Sequence, residues 1–88
     1  MRWLLILAAL SLFAQNDDLV AQHAAAADSD MKSEHYAAAE QEFRTVLKLR
    51  PQMPEAQMNL GLSCFLQKKY AEAIRAFEAG LKEKPDMD

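Results

Sequence analysis

The 88-residue sequence contains a single cysteine, Cys64, two glycines and three prolines. One thiol forms no disulfide within the chain, so cysteine content does not reveal the redox compartment. The net charge is −3, without the basic stripe that displaces counterions from phosphates, and we expect no nucleic-acid partner. No run rich in valine, isoleucine and threonine alternates as a strand does. The abundant alanine, leucine, glutamate, glutamine and lysine predict an all-α chain, because these side chains lose little freedom in a helix.

Residue combinations that carry catalysis are also lacking. His23 and His35 are the two histidines, and they fall on different predicted elements with no cysteine or histidine at metal-ligand spacing. Cys64 lies on the inward side of a predicted helix without a basic neighbour, so we interpret it as a buried thiol and not a nucleophile. The sequence therefore predicts no catalytic residue and no enzyme activity.

An acidic cluster and the glycines give no ligand site either. Asp28, Asp30 and Glu34 lack the glycine and the alternating oxygen ligands of a calcium loop, and we interpret them as a solvated helix end. The two glycines are too far apart to form a phosphate-binding loop. We expect no metal and no cofactor.

The longest apolar stretch of the sequence is at its start. Arg2 supplies a positive charge, residues 3–14 contain Ser11 as their only polar side chain, and a polar stretch follows. This order is typical of a secretory signal. Twelve helical residues reach about 18 Å, short of the roughly 30 Å hydrocarbon core, so no stable membrane span is expected.

We predict a signal peptide over residues 1–14, cleaved after Ala14, and a short lead-in over residues 15–19. The predicted location is the bacterial periplasm or the extracellular space. Two alternatives remain open: an uncleaved segment that tethers the chain to a membrane, and an apolar first helix docked on the rest of the fold.

Five pairs of like residues are each separated by 34 positions. The pairs are Tyr36 and Tyr70, Ala39 and Ala73, Phe43 and Phe77, Leu47 and Leu81, and Pro51 and Pro85. Steps of three and four residues place the first four members of each set along one helical stripe. The alanine permits a close neighbouring helix, the phenylalanine fills the space beside it, and the proline ends the unit.

This pattern resembles the tetratricopeptide repeat family, which has a 34-residue period. The copy over residues 54–87 matches best and carries Asn59-Leu60-Gly61 in its first helix. The copy over residues 20–53 matches in its second helix, whereas its first helix is degenerate, with Ala26 and Ala27 in place of Leu-Gly. The resemblance implies two tandem antiparallel helical hairpins that stack as an α-solenoid.

We expect four helices, at about residues 18–33, 36–49, 54–67 and 70–84. Asn16 or Asp17 is the expected N-cap of the first helix. The i,i+4 pairs Glu40–Arg44 and Glu78–Lys82 are expected to lie on solvated faces.

The resemblance also implies a function in binding other proteins. In the family, the first helix of each hairpin lines a concave groove. The groove positions it indicates are Ala24, Asp28, Met31, Met58, Leu62 and Phe65. The positions it indicates for packing between helices are Tyr36, Ala39, Phe43, Pro51, Leu60, Gly61, Tyr70, Ala73, Phe77 and Pro85.

These groove residues favour apolar contacts with a partner. The lysine and asparagine pair with which some family grooves grip a terminal carboxylate is absent from the groove positions. The alternative for Met58, Leu62 and Phe65 is packing against a neighbouring repeat.

Three functions follow from this interpretation. The first is an exported scaffold that binds a protein, a peptide or an envelope component. The second is a repeat appendage of a larger exported enzyme or sensor that continues beyond Asp88. The third is a self-associating structural protein that covers its open edge by dimerising. Two repeats are few for a stable stack, so further repeats or self-association are expected.

Overall fold

The computed structural model describes residues 2–84, with side chains from Asn16 onward. The described part of the chain forms four helices and no strand: α1 (Arg2–Lys32), α2 (Tyr36–Leu49), α3 (Pro54–Leu66) and α4 (Tyr70–Glu83). The all-α prediction is confirmed. Residues 1 and 85–88, including Pro85, lie outside the described range.

The first helix begins much earlier than predicted. It runs from Arg2 instead of Asp18, so the predicted N-cap at Asn16 or Asp17 is wrong, and both residues lie inside the helix. The preceding run is rich in leucine and alanine and contains no glycine or proline, so nothing in it ends a helix. The signal peptide over residues 1–14 stays a prediction. Within residues 2–84, no helix has both the length and the apolar character that crossing a membrane requires.

The 34-residue period extends to the backbone of the hairpin turns. Glu34 and Lys68 both adopt positive φ angles, 62° and 66°. The residues that follow them, His35 and Lys69, have φ of −88° and −89° with ψ of 68° and 70°. Non-glycine residues with positive φ are uncommon. Their recurrence at equivalent places indicates one hairpin geometry built twice.

The helices pack in chain order: α1 on α2, α2 on α3, and α3 on α4. One hydrophobic cluster joins them, formed by Ala27, Ala39, Phe43, Leu60, Cys64, Ala73 and Ala76, with Met31, Leu47 and Phe77 packed half-buried against it. Many of these side chains are small, so the helices approach closely. At Gly61, a Cβ atom would lie 2.6 Å from the Phe77 ring, so this position of α3 accepts no side chain without displacing that ring.

Candidate functional site

The three groove positions of the first copy do not share one environment. Ala24 and Asp28 line a cavity between α1 and α3. Met31 lies half-buried against the hydrophobic cluster. Met31 therefore contributes to the packing of the first hairpin, and only its two companions border open space.

The three groove positions of the second copy also differ from one another. Leu62 and Phe65 are 41% and 51% exposed. Met58 is half-buried over Gly80, where an added Cβ atom would lie 2.8 Å from the methionine sulfur. Leu62 and Phe65 are thus available to a partner, whereas Met58 fills the space above a glycine.

A patch of large apolar side chains faces solvent toward the C-terminal end of α3. It consists of Leu62, Phe65 and Leu66, and we call it the α3 patch. The Phe65 ring meets the Tyr70 ring edge-on, with the ring centroids 5.6 Å apart, so the apolar surface continues onto α4. Single exposed apolar residues are normal, but clusters of them mark interaction surfaces.

A second exposed apolar row runs along α4. Tyr70, Ile74 and Leu81 share one side of the helix by their spacing, and we call them the α4 stripe. Leu19 of α1 is the one other large hydrophobic side chain that is exposed among residues 16–84. The exposed apolar surface is therefore concentrated on the second hairpin.

The predicted packing positions vary in burial along the chain. Those that are buried are Ala39, Phe43, Leu60, Gly61 and Ala73. Tyr36 and Phe77 are half-buried, whereas Pro51 and Tyr70 are exposed. The exposure of Tyr70 follows from its place on the uncovered side of α4.

The cavity between α1 and α3 has an apolar floor and an acidic rim. Its volume is about 280 Å³, and Phe43 and Val46 of α2 form part of its floor. Asp28 and Glu55 stand at its rim beside Asn59.

Each rim carboxylate of this cavity has a lysine nearby. Lys32 Nζ lies 3.1 Å from an Asp28 oxygen, and Lys84 Nζ lies 3.8 Å from a Glu55 oxygen. All four side chains are more than half exposed, so these pairs are weak and screened by salt.

A larger groove lies between α2 and α4, above α3. Its volume is about 630 Å³. Its apolar lining consists of Leu47, Leu60 and Ala76, and its polar lining consists of Gln57, Glu72, Arg44, Lys48 and Arg75. We call it the α2–α4 groove.

A buried carboxylate ties the two hairpins together. The Glu40 residue is only 3% exposed. Its Oε1 atom accepts hydrogen bonds from Gln67 Nε2 at 2.8 Å and Lys69 Nζ at 3.0 Å, and its Oε2 atom accepts one from Arg44 Nε at 2.9 Å. Arg44 Nη2 also donates to Glu72 Oε2 at 3.1 Å. The network links α2 to the end of α3, to the following turn and to α4.

These contacts keep Glu40 ionised despite its burial. Burial by itself raises the pKa of Glu40, but the hydrogen bonds from Gln67, Lys69 and Arg44 outweigh it and hold the pKa below its ordinary value of about 4.5. The hydrogen bond to Glu40 in turn raises the pKa of Lys69. Both groups are therefore charged at neutral pH.

The prediction that Glu40 lies on a solvated face is wrong. The sequence itself contains a pattern that indicates burial at this position. Glu40 and Arg44 have the same i,i+4 spacing as Glu78 and Lys82, and the second pair is exposed as predicted. However, Glu40 lies 34 residues before Ile74, so the equivalent position of the other copy is aliphatic. Alignment of the two copies thus marks position 40 as one that a stacked helix covers.

Cys64 is fully buried, as predicted, and burial raises the pKa of its thiol. Its sulfur and carboxylate oxygens of Glu40 and Glu72 lie within 4.8 Å of one another, a separation that would suit a metal ion. The positive charges of Arg44 and Lys69 already compensate these carboxylates, and the thiol is protonated at neutral pH. The cluster is an ion-pair network in which Glu40 is buried and Arg44, Glu72 and Lys69 are partly exposed.

The two histidines lie apart and build no joint site. His23 Nδ1 donates to Glu42 Oε2 at 2.6 Å and joins α1 to α2. His35 is exposed in the turn before α2, with Nδ1 4.0 Å from an Asp30 oxygen. His23 therefore has a packing role within the first hairpin.

The comparisons with known proteins agree with this architecture. The family model described as tetratricopeptide repeat matches residues 24–88, which is well over half of the chain. The chain matches none of the curated proteins and none of the solved structures with which it was compared. Tetratricopeptide repeats generally act as scaffolds for protein–protein interaction, and the family is generally non-catalytic. With its two helical hairpins and its 34-residue period, the chain belongs to the tetratricopeptide repeat family.

Proposed function

We propose that this chain is a non-catalytic scaffold that binds another protein or a peptide through the α3 patch, in an exported compartment. The observation that carries the proposal is the exposure of Leu62, Phe65 and Leu66 side by side on one helix. Each of these three side chains is already about half buried, so covering the remaining surface against a partner yields roughly 1 kcal/mol for each. The ring contact between Phe65 and Tyr70 holds the aromatic part of the surface in place before a partner arrives.

The test compares the partners of two matched variants. Leu62→Asp places a charge within the α3 patch, and Ile74→Asp places the same charge on a similarly exposed residue of α4. We expect Leu62→Asp to lose the cross-linked partners of the wild-type protein in the producing cell, and Ile74→Asp to retain them. A partner list that is unchanged in Leu62→Asp would reject the α3 patch as the binding surface.

The exported location rests on the first fourteen residues. They combine a positive charge, an apolar run and a small residue at the end. N-terminal sequencing of the protein recovered from its compartment tests this part. A mature chain that begins at Gln15 supports it, and an intact Met1 in the cytosolic fraction contradicts it.

The α4 stripe favours a second candidate, self-association through the open edge of the stack. The matching side of α2 is covered by α3, whereas that of α4 has no covering helix among residues 16–84. Sedimentation of the wild-type chain and of Ile74→Glu distinguishes the candidates. A wild-type dimer that Ile74→Glu converts to a monomer would support self-association, and a monomer in both cases would reject it.

A further inference from the structure

We propose that the α2–α4 groove binds a small amphipathic anion, a molecule with one carboxylate, sulfate or phosphate group and a short apolar body. None of the residues of the α3 patch lines this groove, so the proposal is independent of the proposed function. It rests on three features of the groove: an oriented guanidinium group, two cations without counter-charges, and an apolar floor.

The Arg44 guanidinium is fixed in the wall of the groove. Its Nε atom donates to Glu40 and its Nη2 atom donates to Glu72, on two different helices. Its Nη1 atom has no hydrogen-bond partner among residues 16–84. A guanidinium carries five N–H donors in a planar fork that matches the oxygens of a carboxylate or phosphate. Two carboxylates thus orient a donor group whose remaining N–H bonds are available to a ligand.

Two further cations border the groove without a partner. Lys48 of α2 and Arg75 of α4 make no ion pair and no side-chain hydrogen bond among the residues with described side chains. The carboxylates of Glu40 and Glu72 are already engaged by Arg44 and Lys69. The groove therefore has an excess of positive charge, which favours an anionic ligand over a neutral or cationic one.

The floor of the groove is apolar, so a ligand that fits it needs an apolar body as well as an anionic group. Leu60 and Ala76 are buried, and Leu47 packs half-buried beside them. The volume of about 630 Å³ lies within the range of roughly 300–1,000 Å³ that is typical of small-molecule sites. The space is much larger than an inorganic ion needs, so an apolar body bonded to the anionic group fills it better.

Octanoate is the probe that tests this combination, with NMR of the full-length chain as the readout. We expect octanoate to shift the methyl resonances of Leu47, Leu60 and Ala76 in a saturable manner. Octanol, which has the apolar body without the charge, and inorganic phosphate, which has the charge without the body, should each bind about tenfold more weakly or not at all. Octylamine should not bind.

Matched double variants test whether the positive charges of the groove contribute to octanoate binding. Lys48→Gln combined with Arg75→Gln should weaken octanoate binding by about tenfold, because it removes both cations that lack partners. Lys32→Gln combined with Lys68→Gln removes two exposed positive charges outside the groove and should leave the binding constant unchanged. Both pairs are surface substitutions, and a circular dichroism spectrum confirms that each protein is folded.

Several results would overturn the proposal. They are equal binding of octanol and octanoate, an unchanged binding constant in the groove variant, and an equal loss in the control variant. Absence of methyl shifts at octanoate concentrations up to about 10 mM would also overturn it, because the affinity would then be below that of a functional site. None of these results bears on the α3 patch, which the partner comparison of Leu62→Asp and Ile74→Asp tests separately.

Discussion

Helices α2 and α4 are equivalent members of the two repeats, and their matching sides lie in opposite environments. Glu40 of α2 is 3% exposed, whereas Ile74, its equivalent in α4, is 55% exposed. The charged residue is buried and the aliphatic one faces solvent, which is the reverse of what the two side chains prefer alone. Place in the stack thus decides burial more strongly than residue type does.

The reason for this inversion is the helix that follows. Helix α3 packs against α2, and Gln67 at its end and Lys69 in the next turn supply the donors that a buried carboxylate needs. No described helix lies against the matching side of α4. Ile74 therefore occupies a position that a packed helix covers in the other repeat. Glu40 is stable as a buried, ionised residue because Gln67 and Lys69 donate hydrogen bonds to it.

The largest expected difference between the two helices concerns their phenylalanines. Phe43 is 5% exposed and belongs to the core cluster, whereas Phe77 is half-buried. Phe43→Ala should lower the free energy of unfolding by about 4 kcal/mol and Phe77→Ala by about 2 kcal/mol, because less apolar surface is lost at position 77. Urea denaturation of the two variants measures the difference. Equal losses would indicate that the second hairpin is covered in solution.

The buried carboxylate should give the next largest effect. Glu40→Gln preserves the size of the side chain but places an amide group against Arg44 or Lys69, and we expect a loss of about 2 kcal/mol in the free energy of unfolding. Ile74→Gln, at the equivalent exposed position, should cost about 0.5 kcal/mol. If Ile74→Gln lowered the free energy of unfolding as much as Glu40→Gln does, the difference in burial between the two positions would be contradicted.

The same carboxylate predicts a pH dependence. The pKa of Glu40 is lower in the folded protein than its ordinary value of about 4.5. Its contribution to stability is therefore complete above about pH 4.5 and declines as the pH falls through the lower, folded-state pKa. In Glu40→Gln this part of the acid destabilisation should be absent, so the free energy of unfolding of the variant should fall less than that of the wild-type protein between neutral and acidic pH. Denaturation curves of both proteins across this range test the prediction, and parallel losses would contradict it.

The smallest expected effect lies in the hairpin turns. Glu34 and Lys68 hold positive φ angles that favour glycine. Lys68→Gly and Glu34→Gly should each raise the free energy of unfolding by about 0.5 kcal/mol, since relief of backbone strain exceeds the added entropy of the unfolded chain. Thermal denaturation of each variant gives the measurement. Opposite signs in the two turns would show that they are not equivalent.

Much of the fold could be predicted from the sequence, because the repeated residues indicate where the second helix of each hairpin begins and ends. The stripe from Tyr36 to Pro51 gave the bounds of α2, and its copy from Tyr70 gave α4 to within one residue of its end. The start of α1 could not be predicted in this way. Alanine and leucine on both sides of Asn16 and Asp17 favour helix, so two acidic residues and an asparagine do not interrupt it.

The candidate sites were less predictable, because they depend on which helices cover one another. Leu62 and Phe65 are exposed, whereas Met31 and Met58 are half-buried, and a role in binding a partner stays a prediction for all four. The α2–α4 groove combines side chains from three helices, such as Lys48, Gln57 and Arg75. No spacing along the chain brings such residues together, so only the packing of the hairpins reveals them.

Binding of a partner through the α3 patch is tested most directly with a photo-crosslinking amino acid at position 65 or, in a separate chain, at position 31. The two positions are equivalent in the repeats, but Phe65 is exposed and Met31 packs against the core. We expect a discrete partner adduct from position 65, lost when Leu62→Asp is added, and none from position 31. Equal adducts from both positions, or an adduct from position 65 that persists with Leu62→Asp, would contradict the α3 patch as the surface through which this protein binds its partner.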